Sequence, residues 1–139
     1  MHNSPTILVV DDSPFAARAL VHVLELRGLR ARAASTMADA MNICAEFHPS
    51  VLVTDVCMPD IDLLDLCRRV RAAASGQGVS VLLFSAHAER EMGGILAATG
   101  ADAFMEKRHG AAAVAARVEA LCTAAASRQP RPRPASIPG

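Results

Sequence analysis

The stretch Ile7-Leu8-Val9-Val10-Asp11-Asp12-Ser13-Pro14 joins the pattern of a buried strand to that of a helix start. Four consecutive apolar residues are typical of a strand that is covered on both faces. Ser13 is suited to cap a helix, and Pro14 suits the first helical position because the backbone N–H there has no partner to lose. Gly28 is expected to end this helix. The stretch therefore predicts a strand followed directly by a helix.

The same unit recurs along the chain. Strong apolar runs at residues 51–53 and 79–84 predict two more buried strands, and weaker runs at residues 30–34 and 103–105 predict another two. Each run is followed by a stretch with apolar residues at helical spacing, and Thr36-x-x-Asp39 reads as a capping box for the second helix. The pattern predicts five strand–helix units.

The contrast between strong and weak strands predicts their order. Central strands of a parallel sheet are buried on both faces, whereas edge strands tolerate shorter or more polar sequences. The first, third and fourth strands are therefore expected at the centre. With right-handed crossovers, this favours an α/β fold, a doubly wound five-stranded parallel sheet of order 2-1-3-4-5 with five helices, flavodoxin-like. Ligands bind such sheets where the strand order reverses, here between the first and third strands.

Composition limits the kind of protein. The chain has 139 residues, 52% of them hydrophobic, and 14 Lys plus Arg balance 14 Asp plus Glu. No net charge steers it to nucleic acid or to an anionic membrane, and no long apolar run predicts a membrane span. We therefore expect a cytoplasmic protein with no nucleic-acid or membrane partner. The cysteines, Cys44, Cys57, Cys67 and Cys122, lack metal-site spacing and are expected to be buried thiols.

The composition changes near residue 127. Residues 1–126 are predicted to form one domain, and residues 127–139 are rich in arginine and proline and are predicted to be disordered. This tail has three interpretations: an unstructured end, the start of a linker to an output domain, or a ligand for an anionic or proline-binding partner.

Acidic residues stand at the carboxyl ends of two predicted central strands. Asp11 and Asp12 follow the first strand, and Asp55 ends the third. The predicted strand order brings these three carboxylates together. Crowded carboxylates either hold protons or bind a cation, and oxygen ligands alone favour Mg²⁺ or Mn²⁺.

Two further polar side chains are expected near the same place. Ser85 ends the fourth strand, and Lys107 follows the fifth. A cation, an ammonium and a hydroxyl around one carboxylate suit a phosphoryl group, because phosphoryl transfer depends on positioning and charge neutralisation. Asp55 would be the nucleophile.

In these residues the chain resembles the response-regulator receiver domains of two-component signalling, which include the single-domain chemotaxis regulators. The resemblance covers about residues 6–125. The matching residues are Asp11, Asp12, Asp55 with Met58 and Pro59, Ser85 with Ala86, Phe104 and Lys107.

The resemblance implies a role for each residue. Asp12 would bind Mg²⁺ directly, Asp11 through water, and Asp55 and the backbone carbonyl of Cys57 would complete the protein ligands. Lys107 and Ser85 would hold the phosphoryl oxygens, and Phe104 would be a rotameric switch.

The resemblance also implies partners. A histidine kinase or a phosphotransfer protein would supply the phosphoryl group. An unidentified output protein would read the change, and a homodimer through the fourth and fifth helices is an alternative output. The protein itself is not expected to be an enzyme.

Two residues depart from the family pattern. Arg108 follows the lysine where the family commonly has proline, so the cis peptide that the family often has there is not expected. Leu63 stands where the family usually has glycine. These departures point toward an alternative function, a degenerate receiver that docks a partner constitutively without phosphorylation, whereas the intact acidic site opposes it. An aspartyl-phosphate phosphohydrolase would need a second acid two residues after Asp55, where this chain has Cys57.

Overall fold

The computed structural model describes residues 5–74 and 78–128. Five parallel strands form one sheet in the order β2-β1-β3-β4-β5, as predicted. The strands are β1 (Thr6–Val10), β2 (Arg30–Ala34), β3 (Val51–Asp55), β4 (Ser80–Ser85) and β5 (Ala103–Glu106). The helices are α1 (Pro14–Leu26), α2 (Met37–Phe47), α3 (Leu63–Ala73), α4 (Gly93–Thr99) and α5 (Gly110–Arg128). Short 3-10 turns, Glu89–Glu91 and Lys107–His109, precede α4 and α5.

Side chains cap the starts of the first three helices. Ser13 accepts the N–H of Ala16 at 3.2 Å, which confirms it as the cap of α1. Thr36 accepts the N–H of Asp39 at 3.0 Å, as the capping box predicts. Asp62 caps α3, so Leu63 is an ordinary first helical residue there. Each bond satisfies a backbone donor that the helix itself leaves unpaired.

The hydrophobic core lies in two layers, one on each face of the sheet. On one face, α1 and α5 pack over alternate residues of the strands, including Ile7, Val53 and Leu82. On the other face, α2 and α3 cover the intervening residues, including Leu8 and Leu52. Every residue of β1 and β3 is buried, whereas β2 and β5 are partly exposed. This confirms the predicted contrast between central and edge strands.

Two predictions need adjustment. Helix α5 continues to Arg128, past the predicted end near residue 126, and residues 129–139 of the predicted tail lie outside the described part of the chain. Cys57 is exposed, contrary to the expectation of four buried thiols, because it lies in the loop after β3 rather than on a packed face. The other three cysteines are buried, and burial raises the pKa of each thiol.

Gly28 ends α1 in the left-handed region, with a φ of 81°, where a residue with a side chain would be strained.

Across residues 5–74 and 78–128, none of the helices has the length and apolar character that crossing a membrane requires.

Candidate functional site

Three carboxylates meet at the carboxyl end of the sheet. Strands β1 and β3 are neighbours, with Val10 opposite Thr54, so Asp11, Asp12 and Asp55 leave the sheet together. One oxygen from each carboxylate lies within 4.8 Å of the others. Asp11 and Asp55 are buried, with 6% and 7% of their surfaces exposed, while Asp12 faces solvent.

Backbone donors orient the two buried carboxylates. Asp55 Oδ1 accepts the N–H of Val56 at 2.8 Å. Asp11 Oδ1 accepts the N–H of Ser13 at 3.0 Å, at the start of α1. Both bonds come from residues just after the strand ends, so the turn that stops each strand also directs its carboxylate.

Lys107 approaches the same carboxylates from the start of the 3-10 turn that follows β5. Its Nζ lies 3.3 Å from Asp55 Oδ1 and 3.6 Å from Asp11 Oδ2. Lys107 is the only lysine among the 14 Lys and Arg residues of the chain. An ammonium is a compact point charge, unlike the planar guanidinium of arginine.

These contacts act on Asp55 in opposite directions. Burial raises the pKa of the Asp55 carboxyl and is the largest effect. The positive charge of Lys107 lowers this pKa, and the negative charge of Asp11 raises it, so the net direction is upward. Any positive charge added nearby would therefore stabilise the ionised form of Asp55.

The residues present suit a divalent cation. Carboxylate oxygens are hard ligands of the kind that Mg²⁺ and Mn²⁺ prefer, and one member of the cluster is open to solvent. The ammonium of Lys107 lies beside only Asp11 and Asp55, so a cation would offset the remaining charge repulsion among the three carboxylates.

The sequence model of the response regulator receiver domain matches residues 7–119, most of the chain. The chain belongs to this family. Receiver domains are signalling modules of two-component systems, in which they interact with histidine kinases and output domains.

Known relatives share this receiver domain. Response regulator MprA of Mycobacterium bovis (strain BCG / Pasteur 1173P2) is 31% identical over 118 residues, which are 85% of this chain and 50% of that protein. The chain thus spans about half the length of the curated relatives it matches. A receiver domain from Bermanella marisrubri is 28% identical, with a TM-score of 0.72, over 86% of this chain and 98% of that one.

A CheY-like receiver domain from Methanospirillum hungatei JF-1 shares only the fold at this level of identity. It is 17% identical, has a TM-score of 0.77, and matches 91% of this chain and 100% of that one.

Three further residues were predicted at the site: Ser85, Phe104 and Cys57. Ser85 is fully buried, and its hydroxyl accepts the N–H of His87 at 2.9 Å, toward the loop after β4. Phe104 is half-buried and packs on the opposite face of the sheet from the core beneath α1 and α5. Cys57, in the loop two residues past Asp55, is exposed.

Arg108, which stands where the family commonly has proline, forms an ion pair with Glu106. Arg108 Nε lies 2.5 Å from Glu106 Oε1, and the other oxygen of Glu106 accepts the N–H of Glu89 at 3.2 Å. The hydrogen bond from Arg108 is the largest of the effects that lower the Glu106 pKa. The described residues contain no cis peptide bond, so the peptide after Lys107 is trans, as Arg108 predicts.

Sequence reasoning missed one residue of this receiver site. Phe84 lies opposite Asp55 in the register of β3 and β4, and the centroid of its ring is 5.5 Å from Lys107 Nζ. The available signal was its place directly before Ser85, at the end of a central strand.

The raised Asp55 pKa predicts a specific pH dependence of stability. A carboxyl with a raised folded-state pKa stabilises the fold most when protonated, and this contribution is lost as the pH rises through that pKa. An Asp55→Asn variant does not titrate there. The unfolding free energy of the variant should therefore rise relative to that of the wild type as the pH rises from about 4 to about 7.

Urea unfolding of both proteins in the presence of a chelator measures this difference. Other titrating groups are shared, so they largely cancel. The raised pKa would be contradicted if the unfolding free energy of the variant, relative to that of the wild type, did not change with pH or fell as the pH rose.

Proposed function

We propose that Asp55 is the phosphoacceptor of this receiver domain, and that a histidine kinase or a phosphotransfer protein phosphorylates it in trans. One observation carries the proposal: a buried carboxylate at the carboxyl end of β3 lies 3.3 Å from the chain's only lysine, beside a second buried carboxylate. The ammonium that lies beside Asp55 would also lie beside the oxygens of a phosphoryl group attached to it.

The transfer exchanges one bond to phosphorus for another. An oxygen of the Asp55 carboxylate forms a bond to phosphorus, and the phosphorus–nitrogen bond of the donor's phosphohistidine breaks. The imidazole leaves with the electron pair of that bond and takes a proton. Lys107, already beside Asp55, neutralises part of the charge on the phosphoryl oxygens, which is the main protein contribution to such a transfer.

The proposed cofactor is Mg²⁺. Asp11, Asp12, Asp55 and the backbone carbonyl of Cys57 are the residues that would hold it. When bound, it supplies positive charge to the transferring phosphoryl group and offsets repulsion from the carboxylates.

Phosphorylation is proposed to change the surface that the domain presents. The added group carries a charge of about −1.5 to −2 near neutral pH. The Ser85 hydroxyl would leave the N–H of His87 for a phosphoryl oxygen, and Phe104 would turn inward behind it. An output protein, or a second copy through α4 and α5, would read this change. In this proposal the receiver is the predicted domain of residues 1–126 together with the two residues through which α5 continues to Arg128, and the rest of the predicted tail, 127–139, is separate from it.

The test is intact-mass spectrometry after incubation with phosphoramidate, with Mg²⁺ or with a chelator. We expect the mass of one phosphoryl group to be added, and the initial rate to fall at least about tenfold when Mg²⁺ is removed. Borohydride reduction of the acyl phosphate, followed by peptide mapping, should place the modification on Asp55.

A control receiver domain labelled in parallel shows that the donor is active. If that control gains a phosphoryl group and this chain does not, the phosphoacceptor proposal fails. The constitutive docking module then becomes the better account.

A further inference from the structure

Phe84 contributes an aromatic face to the carboxylate site. Its ring centroid lies 5.5 Å from Lys107 Nζ, within the distance of about 6 Å at which a cation is attracted to a ring face. The strand register places Phe84 opposite both Asp55 of β3 and Met105 of β5. The ring therefore lies between the strand of the carboxylate and the strand that leads to the lysine.

Lys107 has few constraints of its own. Its four-carbon stem is flexible, and its distances of 3.3 and 3.6 Å to the carboxylates exceed the length of about 2.7–2.9 Å that is typical of charge-assisted hydrogen bonds. The backbone after it is a 3-10 turn held through Arg108 and Glu106 rather than a proline.

A cavity next to the lysine leaves its side chain room to move. This space of about 230 Å³ is lined by Asp11, Asp55, Phe84 and Lys107, and otherwise by apolar residues of β1, α1 and β3. On that side, open space rather than packed side chains borders the ammonium, so only electrostatic attraction opposes its movement away from the carboxylates. Phe84 lines the same cavity and is the aromatic group beside the ammonium that can add to the hold of the two carboxylates.

We propose that Phe84 is a positioning residue, whose ring face holds the Lys107 ammonium between Asp11 and Asp55. The inference rests on the proposed phosphoacceptor function of Asp55. The negative face of an aromatic ring attracts the ammonium without adding a charge that would repel a phosphoryl group. An aliphatic side chain of similar size would fill the same space and lack this attraction.

The single lysine makes the position of the ammonium measurable by NMR. Protein labelled with ¹³C,¹⁵N-lysine gives one set of side-chain signals, all from Lys107. We expect ring-current shifts of the ε-methylene protons in the wild type and in Phe84→Tyr, which keeps the ring. In Phe84→Leu these signals should move to the values of a free lysine.

The rate of phosphorylation is the second measurement. At saturating Mg²⁺, Phe84→Leu should react with phosphoramidate about threefold to tenfold more slowly than the wild type, and Phe84→Tyr should restore most of the rate. Phe47→Leu is the matched control, because Phe47 lies on α2, where its ring stacks with Arg30 and Arg32 and not with Lys107. It should change neither the lysine signals nor the rate.

Two results would overturn the proposal. One is a Phe84→Leu protein with unchanged lysine signals and an unchanged rate. The other is a Phe84→Tyr protein whose lysine ring-current shifts and phosphorylation rate fall as far as those of Phe84→Leu, although the two variants are equally stable to urea. That result would assign Phe84 to packing alone. If the wild type takes up no phosphoryl group, the proposed function fails separately, and the lysine signals decide whether Phe84 positions the ammonium.

Discussion

An Asp55→Asn variant is expected to show no phosphoryl uptake from phosphoramidate under conditions that label the wild type. The amide has nearly the shape of the carboxylate but lacks its negative charge and its nucleophilic oxygen. Lys107 keeps Asp11 as a partner at 3.6 Å, so the surroundings should persist without the acceptor. Intact-mass spectrometry compares the two proteins directly.

Asp39→Asn is the matched control. It makes the same chemical change at an exposed carboxylate in the first turn of α2, away from the three-carboxylate cluster. This variant should be labelled like the wild type. Uptake by Asp55→Asn at the wild-type rate would place the acceptor elsewhere and reject the assignment of Asp55.

Leu52→Ala is expected to lower the free energy of unfolding by about 2–5 kcal/mol. Leu52 is fully buried in the central strand β3, in the core layer beneath α2 and α3. Truncation removes buried apolar surface and leaves a void that a sheet with neighbours on both sides cannot close. Because a domain is stable by only about 5–15 kcal/mol, the loss is a large share of the total.

Leu26→Ala provides the comparison at an exposed site. Leu26 is the last residue of α1, and 73% of its surface is exposed. The same truncation there should change the unfolding free energy by less than about 0.5 kcal/mol. Urea denaturation of both variants measures the contrast, and equal losses at the two sites would contradict the burial of Leu52.

The sheet order could be predicted because its causes are local. The runs at residues 7–10, 51–53 and 79–84 lack polar side chains except for Ser80, so they can lie only where both faces are covered. Arg30 and Arg32 need solvent for their charges, which favours an edge for β2. The order then follows from the right-handed crossover rule.

Element ends were less predictable. The Ala-rich composition of α5 contains no stop signal before residue 128, so its predicted end near residue 126 rested on the change of composition alone. The exposure of Cys57 was missed because a thiol is apolar in composition, and its burial depends on where the loop after β3 runs.

Much of the site was also predictable. Parallel strands place their carboxyl ends at one edge, so the positions of Asp11, Asp12 and Asp55 follow from strand order. Lys107 was expected at the same edge, after the last strand. Ser85 was expected beside the phosphoacceptor, and in the structure its hydroxyl accepts from the loop after β4.

The sequence by itself determined which polar residues stand near the carboxyl ends of the strands, because burial and helix capping depend on near neighbours along the chain. Only the tertiary structure decided the distances between Lys107 and the carboxylates, the contact between Lys107 and Phe84, and the hydrogen bond from the N–H of Glu89 to Glu106. These depend on strand register and on side-chain rotamers, in which a shift of one residue or one torsion moves a charge by several ångströms. No local pattern encodes such distances, since they result from packing between segments far apart in the chain.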